Sequence, residues 1–275
     1  MPSRTISDIT VVYDVGELAT AELLSDTVAK VLPLIQESWG LGGPKDCRIY
    51  VMTSWWGFFF QSAPWFWRIL LILAWPLWCF RARRAWPYSA GWTQRYGRQV
   101  AIGIKPPRLL EVSDKRIGRH LFVEEKNSET KIRHLMCHEL THACAASLKL
   151  PAWLNEGLAA VTVDRYLGKR TIRPDTVELL RSYRPKHRPP TYRELLRLEE
   201  QVFAYHAVRG YWLVQYLEES QAGCLKRLLS SWQGDGAGEA EIARVLGMEL
   251  GNFWDQIDDR MVAYFEMKGV ISSVA

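Results

Sequence analysis

The stretch from His134 to Val161, HLMCHELTHACAASLKLPAWLNEGLAAV, constrains the fold more than any other. Its first half repeats apolar residues at helical spacing, and Pro151 ends that helix because its ring removes a backbone donor. A second helical pattern follows from about Pro151 to Leu167. Positions four apart share one helix face, so His138 and His142 aim two imidazoles at one point. Glu139, one residue on, projects beside them. A tight return at Pro151 brings Glu156, early in the second helix, back over the pair. His134 lies in the same row, but its eight-residue separation from His142 is about 12 Å along the axis, too far to share one ion with both histidines.

Imidazole nitrogens bind Zn2+ at about 2.0–2.1 Å, and three protein ligands leave one coordination position open for chemistry. The H-E-x-x-H spacing assigns Glu139 the task of general base. The plain alternative is an amphipathic helix pair with solvated polar residues, and a third ligand is what separates the two readings.

HELTH followed by WLNEGLA resembles the gluzincin metallopeptidases, and the short gap between them resembles the peptidase MA-like branch. FAYHAVRGYWLVQYLEE is similar to the next helix of that branch. The resemblance runs from about Asp8 to Phe265 and implies one peptidase domain over residues 1–275. It implies His138, His142 and Glu156 as Zn2+ ligands, Glu139 as general base, and a peptide or protein substrate. The reaction implied is metal-assisted hydrolysis, in which zinc lowers the pKa of a water to about 7 and Glu139 takes its proton. By the same likeness Tyr205 donates to the tetrahedral oxyanion, with Tyr211 and His206 as rivals.

The chain also departs from the family. It has no G-x-M-E-N element, which disfavours the aminopeptidases that carry it. Ala160 stands one turn after Glu156, where some thermolysin-like enzymes keep an Asp to orient a ligand histidine, and Asp164 is a further turn away. Two other readings use the same residues: a catalytically silent zinc-binding scaffold, and a membrane adaptor with a structural zinc. Neither has a use for Glu139.

The rest of the chain gives an α+β plan. DITVVYDV, CRIYVMTS and RQVAIGIKPP read as strands, with a helix from Glu17 to Gly40 after the first. QVAIGIK is expected at the sheet edge, where an extended peptide adds as a strand. After the proline-rich connection RSYRPKHRPPTYREL come helical patterns at Tyr192–Glu200, Phe203–Glu219 and Ala222–Trp232. GDGAG reads as a flexible break before two closing helices. The expectation is a small N-terminal mixed sheet with helices, then a mainly helical half carrying the histidines.

Residues 54–92 form a hydrophobic insertion between two strands. Eight of the thirteen Trp fall there, and the twelve residues from Ile69 to Phe80 carry no charge, with Arg81, Arg83 and Arg84 after them. Taken as one helix from Trp65 to Phe80, the block is about 24 Å long, short of the roughly 30 Å hydrocarbon core. It is therefore expected to bind the membrane surface without crossing. The net charge of +5 is mild, and the chain carries no nucleic-acid fingerprint, so no nucleic-acid partner is expected. MPSRTISDITVVYDV lacks a signal-peptide core and the five scattered cysteines read as reduced thiols. A cytoplasmic location, peripheral or monotopic at the membrane, is the expectation.

Overall fold

The computed structural model describes every residue except 1, 75–78, 80–85, 87–89, 114–120, 184–187, 192–193, 195–199, 233–234 and 271–275. The chain is α+β, with a small mixed sheet at the N-terminal end and helices after it. It clusters into two compact units, one made of residues 1–36, 42–119 and 124–146, the other of 37–41, 120–123 and 147–275.

The first unit is built on five strands in the order β1-β2-β3-β5-β4: β1 (Ser3–Ile6), β2 (Ile9–Val12), β3 (Cys47–Val51), β4 (Gly91–Tyr96) and β5 (Gln99–Ile104). β2, β3 and β5 run parallel, and the outer strands β1 and β4 are antiparallel to their neighbours. Helix α1 (Leu18–Trp39) makes the crossover from β2 to β3. Its residues Ala21, Leu24, Val28, Val31 and Ile35 are all buried, at alternating steps of three and four, the signature of a helix lying on a core.

The insertion begins with α2 (Trp55–Ser62), whose N-cap Ser54 accepts the Gly57 amide at 3.0 Å. Phe58 and Phe59 pack from it onto Tyr50, Met52, Tyr96 and Ala101 of the sheet. Gly103 makes that approach possible, since a Cβ there would stand 2.8 Å from Met52 and 2.9 Å from Phe58. Helix α3 (Trp65–Leu73) follows a break at Ala63, where the backbone turns extended ahead of Pro64. The single helix expected from Trp65 to Phe80 is thus α3 alone among the described residues; 75–78, 80 and the Arg81, Arg83, Arg84 cluster lie outside them. Helices α4 (Pro107–Ser113) and α5 (Ser128–Ala145) complete the unit.

Two sheet expectations are corrected. The expected insertion ends at Trp92 and gives 93–97 no element, but residues 91–96 form β4, which closes a two-residue hairpin onto β5 at Gly97 (φ +63°). QVAIGIK is therefore an interior strand flanked by β3 and β4, and the edge belongs to GWTQRY. Gly91 and Gln94, poor strand formers, hide that edge from a propensity reading.

The second unit is helical: α6 (Ala152–Leu167), α7 (Val177–Ser182), α8 (Glu200–Ser220), α9 (Cys224–Ser230), α10 (Asp235–Val245) and α11 (Phe253–Met267). α6 and α8 cross at a glycine pair. A Cβ on Gly157 would fall 2.3 Å from the Gly210 carbonyl oxygen, and one on Gly210 would fall 2.2 Å from that of Trp153. GDGAG, expected as a flexible break, instead enters α10 at Asp235. Most of the pattern expected from Tyr192 to Glu200 lies outside the described residues. None of the described cysteines forms a disulfide; Cys47, Cys137, Cys144 and Cys224 are buried and Cys79 partly so. Burial pushes the Cys47 and Cys144 thiols up to about 12, so they are not reactive as thiolates.

Candidate metal centre

Helix α5 is capped at Asn127, whose side-chain oxygen accepts the amides of Glu129 at 2.8 Å and Thr130 at 3.1 Å. It buries Ile132, Met136, Cys137, Leu140, Ala143 and Cys144 as one stripe, which fixes the rotation of the helix and so the direction of its polar residues. His138 and His142 emerge half-buried beside that stripe, with rings perpendicular and centroids 4.6 Å apart. Their Nε2 atoms are 3.0 Å apart. Two nitrogens held at about 2.0–2.1 Å from one ion at a tetrahedral angle stand about 3.3 Å apart. The spacing of this pair is close to that of two ligands of one metal.

Among the described residues, one group of three could hold a metal ion: His138, His142 and Glu156, whose ligand atoms all lie within 4.8 Å of one another. Glu156 is half-buried in the first turns of α6, where Pro151 serves as N-cap and starts the helix. Two imidazoles and a carboxylate match the donors zinc prefers, so the residues fit the ion. His134 is not in the group.

Glu139 is buried, 9% exposed, and strand β4 holds it. Thr93 donates its hydroxyl to Glu139 Oε2 at 2.6 Å, and the same hydroxyl lies 3.2 Å from the Glu139 backbone carbonyl. Gly91, two residues along the strand, gives the carboxylate its space: a Cβ there would come within 2.7 Å of both Cγ and Oε1. Neither residue is among those the sequence motif points to. Glycine inside a strand is the one available signal, since it often marks a close approach of other groups. Arg95, next on the same face, donates to the carbonyl of Ala146 at the end of α5 at 2.6 Å.

The tyrosines expected near the reaction are engaged elsewhere. Tyr205 is fully buried, stacks on Tyr183 and donates to Asp258 Oδ2 at 2.7 Å. Arg209 meets the other Asp258 oxygen at 2.7 Å. Burial holds the Tyr205 hydroxyl protonated, far above the usual phenol range. Tyr211 is likewise buried and donates to Asp164 Oδ2 at 2.7 Å. Asp164 Oδ1 accepts from the Thr171 amide and hydroxyl, so its two oxygens join α6 to the segment that follows it and to α8. His206 packs edge-on to Tyr205.

Compared with models of protein families, with curated proteins and with solved structures, the chain matches none.

Proposed function

We propose that this chain is a zinc-dependent metallopeptidase of gluzincin type. The observation that carries the reading is the convergence of the His138 and His142 Nε2 atoms, 3.0 Å apart, on the helix that also carries Glu139. Glu156 completes a three-ligand set that leaves one coordination position open. Zinc, when bound there, polarises a carbonyl and acidifies a water at neutral pH.

The chain's own residues do the rest. His138, His142 and Glu156 would hold the ion. Glu139 accepts the proton of the attacking water and later returns it to the leaving amine. Thr93 is a positioning residue: its hydrogen bond fixes the Glu139 carboxylate, and Gly91 keeps the space beside it open. A silent scaffold or a structural zinc would give no reason for a carboxylate so placed and so anchored.

The test is metal analysis of purified protein together with cleavage of casein and a peptide library by wild type and Glu139→Gln. The variant should keep its zinc and lose about 10²–10⁴ in rate. Undiminished turnover in the variant, or a wild type that binds zinc and cleaves nothing, would defeat the reading.

A further inference from the structure

Helix α3 presents an apolar surface that the described residues of its own unit leave largely uncovered. Of its nine residues, Trp65, Phe66, Trp67, Ile69, Leu70, Ile72 and Leu73 are exposed, Trp65 by 73% and Leu73 by 75%. Leu71 alone is buried, against the cluster formed by Phe58, Phe59 and Tyr96. Arg68, the one charged residue of the helix, turns back to the Ala63 and Gln61 carbonyls at 2.8 and 3.2 Å, and a helix otherwise apolar on every side belongs in a core or in lipid. A groove of about 450 Å³ continues the surface from α3 to strand β4, walled by Phe59, Trp67, Leu70, Leu73 and Tyr96, with Arg95 in its lining.

Charge identifies the occupant. From Cys47 to Leu110 the sequence holds nine Lys and Arg and no Asp or Glu, against +5 for the whole chain. The remainder therefore carries −4. Within the segment Lys105 is buried and Arg108 pairs with Glu17 at 2.9 Å, while Arg68 on α3 and Arg95 in the groove lie beside the apolar surface. A second copy seated on α3 would bring two basic segments together, neither with an Asp or Glu to offset the other, which electrostatics opposes. An anionic bilayer suits both properties: tryptophan favours headgroup depth, and Arg or Lys near the surface is attracted to acidic lipid.

We propose that α3 and its groove dock on an anionic phospholipid surface, with the helix lying in the interface. At nine residues α3 is about 13.5 Å long, under half of the roughly 30 Å hydrocarbon core. No helix among the described residues is long and apolar enough to cross a membrane. This docking does not depend on the metal centre or on hydrolysis.

The test uses the full chain and vesicles of phosphatidylcholine, alone or with about 30% phosphatidylglycerol, in a sedimentation assay. Wild type should bind the anionic vesicles at least about tenfold better than the neutral ones, and salt near 0.5 M should weaken that binding. Ile72→Asp with Leu73→Asp alters only exposed side chains and should weaken binding about tenfold or more, with an unchanged circular dichroism spectrum. Brominated lipid should quench wild type more than Trp65→Phe, which reports the helix itself even if the double variant misfolds. Folded wild type that ignores both vesicles overturns the proposal, as does equal binding to both. Full binding by the double variant, or quenching unaltered in Trp65→Phe, moves the surface elsewhere. Self-association abolished by the double variant, without vesicle binding, makes a second copy the occupant and also overturns it.

Discussion

Thr93 on edge strand β4 donates its hydroxyl to Glu139 on helix α5 at 2.6 Å, tying together two residues 46 apart in sequence. The bond selects one orientation of the carboxylate proposed to move the proton. Thr93→Val keeps the shape and removes the donor. It should lower kcat about tenfold with zinc content and KM little changed, and Thr93→Ser should recover most of the loss. Steady-state kinetics beside metal analysis decide it; a Val variant with wild-type kcat would leave the bond without catalytic consequence.

Gly91→Ala tests the same carboxylate from its other side. The added methyl would stand 2.7 Å from Glu139 Cγ and Oε1, so the side chain must move. The expected result is a rate loss on the order of tenfold or more, with metal still bound and the sheet intact by circular dichroism. An alanine variant as active as wild type would show that Glu139 tolerates displacement.

The proposed ligand set predicts about one zinc per chain in wild type. His138→Ala and Glu156→Ala should each lose most of that metal, measured by elemental analysis after dialysis against a weak chelator. Full occupancy in either variant would remove that residue from the set. His134→Ala should keep its zinc, because His134 stands outside the group.

Gly157 follows Glu156 directly and sets how closely α6 and α8 cross. Alanine at Gly157 would place a Cβ 2.3 Å from the Gly210 carbonyl oxygen, a backbone atom that cannot rotate away. Gly157→Ala should therefore destabilise the protein by about 1–3 kcal/mol in denaturant unfolding. A neutral substitution would mean that the two helices separate at little cost.

Tyr205→Phe removes a buried hydrogen bond to the Asp258 carboxylate, which keeps Arg209 as its other partner. A loss of about 1.5–3 kcal/mol of stability, with kcat within about twofold of wild type, is expected from a bond to a charged group. The opposite pattern, unchanged stability with a rate down by about 10²–10³, would return Tyr205 to the oxyanion role.

These residues show what a sequence can disclose. His138, His142 and Glu139 were legible because helical periodicity is local, and Pro151 announced the turn that precedes Glu156. The interior strands were legible from their runs of β-branched residues. Strand β4 was not, since GWTQRY continues the tryptophan-rich insertion and alternates no simple polar pattern. The use of Tyr205 was hidden for another reason: its partner Asp258 lies 53 residues further on, and no local signal links them. The Gly157–Gly210 crossing was equally silent, because a glycine's tight contact belongs to the packed helices and not to either segment alone.

Strand β4 has one further consequence. Gly91, Thr93 and Arg95 meet α5, while Trp92, Gln94 and Tyr96 meet the α2–α3 side through Phe59, the groove and Ser62. Arg95 also lines the groove, but otherwise odd and even residues face different neighbours, and the Gly97–Arg98 turn with the β4–β5 pairing sets which is which. One extra residue in that turn would rotate the whole strand by half a period, presenting Trp92 to Glu139 and Thr93 to the aromatic cluster. The hairpin tip therefore works as a vernier for the Thr93–Glu139 contact, and a length change there would break it without altering either residue or the histidines.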